Sequence, residues 1–281
     1  MAALRCLYQI CVVTVLALSV LISPAVHAQS WPSVIDDRYK QLDAKLYQKY
    51  DEARALLDRY GGETEFLGLG YQRLQYVLSK NDRFAPAYMQ VGRWIIMTSD
   101  DDSAGFRAAE RAVQMALEIE PKYADAWVLL GHIYTRLDAY DQALAALKKA
   151  ESIGTENPWL HINLTDLYLR TDRAEDGFAA LNALSSHPVD NQKARRAIAE
   201  NYIRYYRLKK DPVGMDLWYR RAIEQSPSNA WAHGNYAAFL VWTQGDFAKA
   251  ESMAREALAL MDYGKARSTL AASLYAQWAG A

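Results

Sequence analysis

Two sets of side chains in the middle of the chain have the types and spacing to do chemistry. His132, Asp166 and Glu200 recur at intervals of 34 residues, and Arg136, Arg170 and Arg204 follow them by four. Residues four apart on a helix share a face, so each member of the first set has an arginine beside it. Arg93 falls in register with His132 when the preceding segment is aligned on Gly92 and Gly131. A histidine with two carboxylates raises the question of a metal or an acid/base site. A row of guanidinium groups raises that of an anionic ligand, because each arginine can hold one carboxylate and still offer donors to a second acceptor.

The usual catalytic signatures are absent. The chain has no Gly-x-Gly-x-x-Gly, no phosphate loop, no His-Glu-x-x-His and no Gly-x-Ser-x-Gly. His132, His161, His187 and His233 form no i, i+4 pair of the kind that ligates a metal. Asp100-Asp101-Asp102-Ser103 has the look of a calcium loop, but its twelfth position is Arg111 where a bidentate Glu is needed. Capping of the following helix accounts for those acids. Asn163-Leu-Thr165 matches a glycosylation acceptor inside a predicted helix. No cofactor is expected.

The elements that must position these residues are repeats. Trp127-Val-Leu-Leu130-Gly131-His-Ile-Tyr134 is followed by Ala143, Leu147 and Ala150, with Pro121 upstream. Stepping by 34 residues places Leu164, Tyr168, Gly177 and Leu181 in register, and a second step puts Tyr202 under Tyr168. Ala87-Tyr88-x2-Val91-Gly92 with Ala109, Val113, Ala116 and Pro121 forms an earlier unit, lengthened by about five residues around Asp100. Met215, Tyr219, Ala222 and Pro227 close the unit of Tyr202, with a few extra residues assigned near Lys209 to Gly214. Gly245-Asp246-Phe247 with Ala250, Ala254 and Ala257 ends the last unit.

This pattern resembles the tetratricopeptide repeat, whose motif is W-x2-L-G-x2-Y, then A-x3-F, then P, with Leu147 in place of Phe. The resemblance implies an all-α fold, a right-handed α-solenoid of helix-turn-helix units with about five repeats over residues 87–261. Each pair is too small to bury its own face, so stacking supplies stability. Lys265 to Trp278 reads as a capping helix within residues 262–281, and residues 29–86 as an N-terminal helical segment. There Val34 to Tyr60 and Glu63 to Ser79 are predicted helices separated by Gly61-Gly62. Tyr50-Asp51-Glu52-Ala53 hints at a degenerate repeat.

In the family the first helix of each unit lines the concave surface, so the resemblance places both ladders in a groove. It implies a protein-binding adaptor with Arg136, Arg170 and Arg204 as polar anchors, flanked by His132, Asp166, Glu200 and Arg93. Asp166–Arg170 and Glu200–Arg204 are expected as i, i+4 ion pairs. A metal site is excluded because successive first helices are expected further apart than the 8–10 Å of direct neighbours, putting His132 and Glu200 two repeats from each other. Asp166 and Glu200 at glycosidase-like separation would each be kept ionised by its arginine, which is wrong for a general acid. An enzyme is not expected. An acidic peptide, a chain-terminal carboxylate or an anionic glycan suits the row of arginines, and Tyr205, Phe239 and Trp242 offer apolar surface in the same helices. The family's carboxylate clamp needs a lysine set that is not evident beside Asn163. The second reading is a structural subunit of an envelope secretion or polysaccharide-export assembly, held through its convex face or N-terminal helices.

The composition fits these expectations. The 281 residues are 51% hydrophobic and 23% charged, with a formal net charge of -1 that gives no field for nucleic acid. Residues 1–28 combine Arg5, an apolar run from Leu7 to Ile22 and Ser23-Pro24-Ala25-Val26-His27-Ala28, the three parts of a secretory signal peptide. Cleavage is expected after Ala28, since the run is short against the roughly 20 residues of a membrane span. Both cysteines, Cys6 and Cys11, leave with it. The expected product is periplasmic, cysteine-free and without a stable membrane span.

Overall fold

The computed structural model describes residue 31 and residues 33–99, 102–184, 189 and 191–280; the expected leader lies outside the described residues. Those residues form helices and connecting turns, with no strand among them. The order is α1 (Val34–Leu42), α2 (Ala44–Arg59), α3 (Thr64–Lys80), α4 (Ala85–Thr98), α5 (Ser103–Ile119), α6 (Ala124–Arg136) and α7 (Tyr140–Ile153). It continues with α8 (Trp159–Arg170), α9 (Ala174–Ala183), α10 (Gln192–Leu208), α11 (Pro212–Gln225) and α12 (Ala230–Phe239). A π-helical turn (Leu240–Gln244), α13 (Phe247–Leu260) and α14 (Gly264–Gly280) complete the chain. Each even-numbered helix from α4 to α12 packs against the odd-numbered helix that follows it, and the pairs stack in chain order into an α-solenoid.

The pairs are held by small residues at the crossings. Gly131 on α6 faces Leu147 on α7 so closely that an added Cβ would lie 2.5 Å from Leu147 Cγ, and at Gly92 the same atom would lie 2.7 Å from Val113 Cγ2. Gly70 on α3 meets Leu57 on α2 in the same manner, at 2.9 Å. The hint of a degenerate repeat at Tyr50 thus coincides with a true helix pair, whose Tyr50, Ala53 and Leu57 are buried in one core with Phe84 and Tyr123.

The N-terminal segment departs from expectation. The predicted helix from Val34 to Tyr60 is broken at Asp43, which ends α1 and caps α2 by accepting the Leu46 amide at 2.9 Å. A short acceptor side chain beside the backbone competes with helix continuation. The break frees α1 to turn onto the solenoid. There Tyr39 Oη donates to the Arg83 carbonyl at 2.9 Å, and Arg38 pairs with Glu120. Asp102 caps α5 through the Gly105 amide at 2.6 Å, the role assigned to that acidic run over calcium.

The turn inside each later pair uses a left-handed residue. Asp138 and Asp172 lie at φ 56°, Lys210 at 53° and Gly245 at 71°. The residue after each non-glycine returns its amide to a carbonyl five back: Ala139 to Tyr134, Arg173 to Tyr168 and Asp211 to Tyr206, all at 2.9 Å. Aspartate tolerates this conformation; lysine gains nothing from it. Lys210→Gly is therefore expected to stabilise the fold by about 0.5–1 kcal/mol, the relief of strain exceeding the entropy glycine adds to the unfolded chain. Urea unfolding would show it as a raised midpoint with an unchanged slope.

These turns also correct the register. Asp172 to Lys210 is a step of 38 residues, not 34, and so is Asn163 to Asn201. Asn163 donates to Val128 O at 3.4 Å and Asn201 to Ile162 O at 3.1 Å, the corresponding carbonyls of the preceding helices. The extra residues lie between Leu184 and Asn201, where α10 begins earlier than α8 does, not near Lys209 to Gly214. Tyr206, rather than Tyr202, is the counterpart of Tyr168. A slip of four residues is close to one helical turn and lands on the same face, so the apolar pattern alone does not reveal it.

At the far end α14 packs on α12 and α13 but leaves Tyr275 67% and Trp278 76% exposed. Among the described residues no helix is long and apolar enough to cross a membrane.

Candidate functional site

Lys193 at the start of α10 donates to the Tyr60 carbonyl at the end of α2, at 2.9 Å. The solenoid thereby curls until its fourth repeat touches the N-terminal helices, with α4, α6 and α8 forming the inner wall between them. A cavity of about 410 Å3 lies behind this contact. Its wall includes Met89, Gln90 and Arg93 from α4, Val128 and His132 from α6, and Trp159 and Asn163 from α8. Asp36 of α1, Arg54 and Asp58 of α2, and Lys193 close it from the other side.

The cavity is charged along its length. Arg54 bridges Asp36 at 3.4 Å and also pairs with Asp51. Arg93 donates to Asp58 at 2.6 Å and to Gln90 at 2.8 Å. Tyr123 Oη donates to Asp36 at 3.0 Å. Asp125 accepts from Asn157 at 3.0 Å, from Thr155 at 3.1 Å and from the Trp31 indole. Burial raises the Asp36 carboxyl to about 6; Arg54 opposes the rise and the charge of Asp125 adds to it. Burial likewise raises Asp125 above the usual carboxylate range, against the hydrogen bonds from Asn157, Thr155 and Trp31. Lys193 is pulled below the ordinary lysine value by desolvation and then by Arg93.

Arg93 and His132 line this cavity, whereas Arg136, Asp166, Arg170, Glu200 and Arg204 lie outside its lining. Phe106 sits beneath the Arg136 guanidinium, 5.4 Å from ring centre to Cζ, and 6.3 Å from the His132 ring. Arg170 Nε donates to Asp166 at 3.0 Å as expected. The expected Glu200–Arg204 pair is not formed. Arg204 reaches across to Asp166 on the neighbouring helix, and exposed Glu200 accepts from Arg196 at 2.8 Å. The corrected register explains this, because His132, Asp166 and Arg204 are the equivalent residues of three successive repeats. The contact also shows that α8 and α10 pack directly, closer than the intervening-helix expectation.

Asp166 therefore sits between two arginines. Burial pushes its carboxyl up, but Arg204 and Arg170 together outweigh this and hold it below the usual range. It stays ionised at neutral pH and holds two repeats together. Asp166→Ala is expected to cost about 1–3 kcal/mol, since both guanidinium groups lose their shared acceptor, and the loss would be read as a lowered urea midpoint. Among the described residues no three His, Cys, Asp or Glu side chains stand together as metal ligands.

Of the aromatic residues singled out, Tyr205 and Phe239 are packing groups. Tyr205 stacks on Phe178 with centroids 4.5 Å apart, and Phe239 is 5% exposed. Trp242 is exposed on the π-helical turn. Asn163 and Thr165 are buried inside α8, out of reach of glycosylation. Sequence reasoning missed Asp36, Arg54, Asp125 and Lys193; their contacts span up to 133 residues and carry no periodic signal.

Residues 124–153, the α6–α7 pair, match the family described as Tetratricopeptide repeat. This pair is a tetratricopeptide repeat. Its solenoid is similar to the chain solved in the APC/C hetero-tetramer Cut9–Hcn1, with a TM-score of 0.64 and 16% identity over 82% of this chain. This chain spans about half of that one, 46% of its length. A tetratricopeptide repeat protein from Parabacteroides merdae aligns with a TM-score of 0.56 and 11% identity, over 85% of this chain and 97% of its own. Pseudomonas aeruginosa pilF gives 0.56 and 16%, over 69% and 90%. At these identities the likeness is one of fold. No curated protein sequence matches significantly. Tetratricopeptide-repeat proteins are in general non-catalytic scaffolds that bind other proteins, and this chain shares that architecture.

Proposed function

We propose that this protein is an exported, periplasmic adaptor that binds a segment of a partner protein along the inner wall of its solenoid. The observation that carries the reading is the cavity of about 410 Å3 on that wall, in the size range of ligand sites and lined by residues of several repeats. Arg93 and His132 belong to it directly. Arg136, Arg170 and Arg204 extend the same wall as polar flanks, although Asp166 already engages two of these arginines. Export rests on the first 28 residues.

The second reading, a subunit of an envelope assembly held by its outer surface, draws on an open groove of about 620 Å3 between α5 and α7, lined by Leu117, Tyr134 and Ala145. Site-directed cross-linking separates the two. A photo-cross-linker on Gln192→Cys, at the exposed cavity rim, is expected to capture a partner from an envelope extract, whereas the same reagent on Glu151→Cys of α7 is not. Capture from position 151 with none from 192 would transfer the site to the outer surface.

A further inference from the structure

The two ends of the cavity differ in charge. At one end Asp36 and Asp125 stand together with Asp51 behind them. Among the described residues Arg54 is the cation that bridges to this group, while Asp125 is held by the neutral donors Asn157, Thr155 and Trp31. Three carboxylates there share one guanidinium. At the other end Arg93 and Lys193 share the single carboxylate of Asp58. Met89, Val128, Leu129 and Trp159 give the cavity its apolar lining. The arginines farther along the wall offer less to an anion, because Arg170 and Arg204 already converge on Asp166.

Deepening the adaptor reading and resting on it, we propose that the cavity receives a basic side chain of the partner segment, lysine or arginine, whose cationic head meets Asp36 and Asp125 and whose acidic neighbour meets Arg93 and Lys193. The buried carboxylates are short of counter-charge, so an incoming cation forms charge-assisted hydrogen bonds with groups already desolvated and already oriented. The aliphatic stem of such a side chain suits the apolar lining. Trp31 and Trp159 belong to the same lining and report on occupancy.

The test is an NMR titration of the isotopically labelled protein with the blocked tetrapeptide acetyl-Ala-Lys-Glu-Ala-amide and with its counterpart carrying norleucine for lysine. The lysine peptide is expected to move the indole N–H signals of Trp31 and Trp159 in a saturable manner. Norleucine should weaken binding about tenfold or more, the loss of one charge-assisted contact. Asp125→Asn should weaken the lysine peptide to a similar extent and leave the norleucine peptide unchanged; because Asp36 also anchors α1, it is left intact. Equal binding of the two peptides, movement confined to the Asp166–Arg204 region, or no movement with either peptide overturns the proposal. Cross-linking from position 192 in the face of such a result would leave the adaptor reading standing and remove only the basic-side-chain specificity.

Discussion

Arg54→Ala is expected to destabilise the protein by about 3–5 kcal/mol at pH 7, the range for removing one member of a buried ion pair. Arg54 meets Asp36, an α1 residue that is 8% exposed, and Asp36 in turn accepts from Tyr123 at 3.0 Å. Without the guanidinium the carboxylate keeps its tyrosine donor but not its counter-charge. The loss should shrink as the pH falls, because Asp36 then carries a proton and needs no cation. The same group sets a pH trend in the wild type. Its folded value of about 6 stands above the ordinary aspartate value of 3.8, so the native state holds a proton that the unfolded chain has released between those values. Asp36 thus lowers stability progressively as pH rises from about 4 to 6, and by a constant amount above that. Urea midpoints of wild type and Arg54→Ala at pH 5 and pH 7 test both statements. A variant equally destabilised at both would show that Asp36 is not the group left uncompensated.

Gly131→Val is expected to cost about 3 kcal/mol, the upper part of the range for overfilling a close-packed core. The added Cβ alone would stand 2.5 Å from Leu147 Cγ and 2.6 Å from Cδ2, and Leu147 is fully buried with no room to move. Valine also brings two methyl groups and a stiff χ1 to a crossing that admits only hydrogen. Leu147→Ala by itself should cost about 2–5 kcal/mol through the cavity it leaves. Combining the two places the valine methyl groups in that cavity. The double variant should therefore be more stable than the sum of the single losses by at least about 1 kcal/mol, a coupling expected only for residues in contact. Additive losses would mean that helices α6 and α7 adjust by sliding rather than by packing against a fixed knob.

The repeat architecture was legible because it rests on local and periodic features. Gly131 and Leu147, or Gly92 and Val113, recur where two helices must cross, and such pairs are read without knowing the rest of the fold. The break at Asp43 was not legible. A lone aspartate inside a helical pattern is tolerated or becomes a cap according to what the following segment can pack against. A constant 34-residue period sets the ladder one turn out of register in the fourth repeat, because Tyr202 and Tyr206 are both tyrosines on one face. The first stacks on Trp218 with centroids 3.8 Å apart, and the second closes the turn at Lys210. The same slip pairs Glu200 with Arg204, whose partner in the structure is Asp166.

By itself the sequence determined the helix pairs, their order and the small residues at their crossings, since each depends on contacts within about one repeat. It also supplied the leader-like first 28 residues and the exclusion of common catalytic motifs. The tertiary structure decided how far the solenoid curls, and with it the site. Only the curl brings Lys193 to Tyr60, Tyr123 to Asp36 and Trp31 to Asp125, joining residues 133, 87 and 94 apart in the chain. No periodicity links such residues. Their meeting follows from small rotations added at every repeat interface, and a sum over many interfaces is not encoded in any one of them.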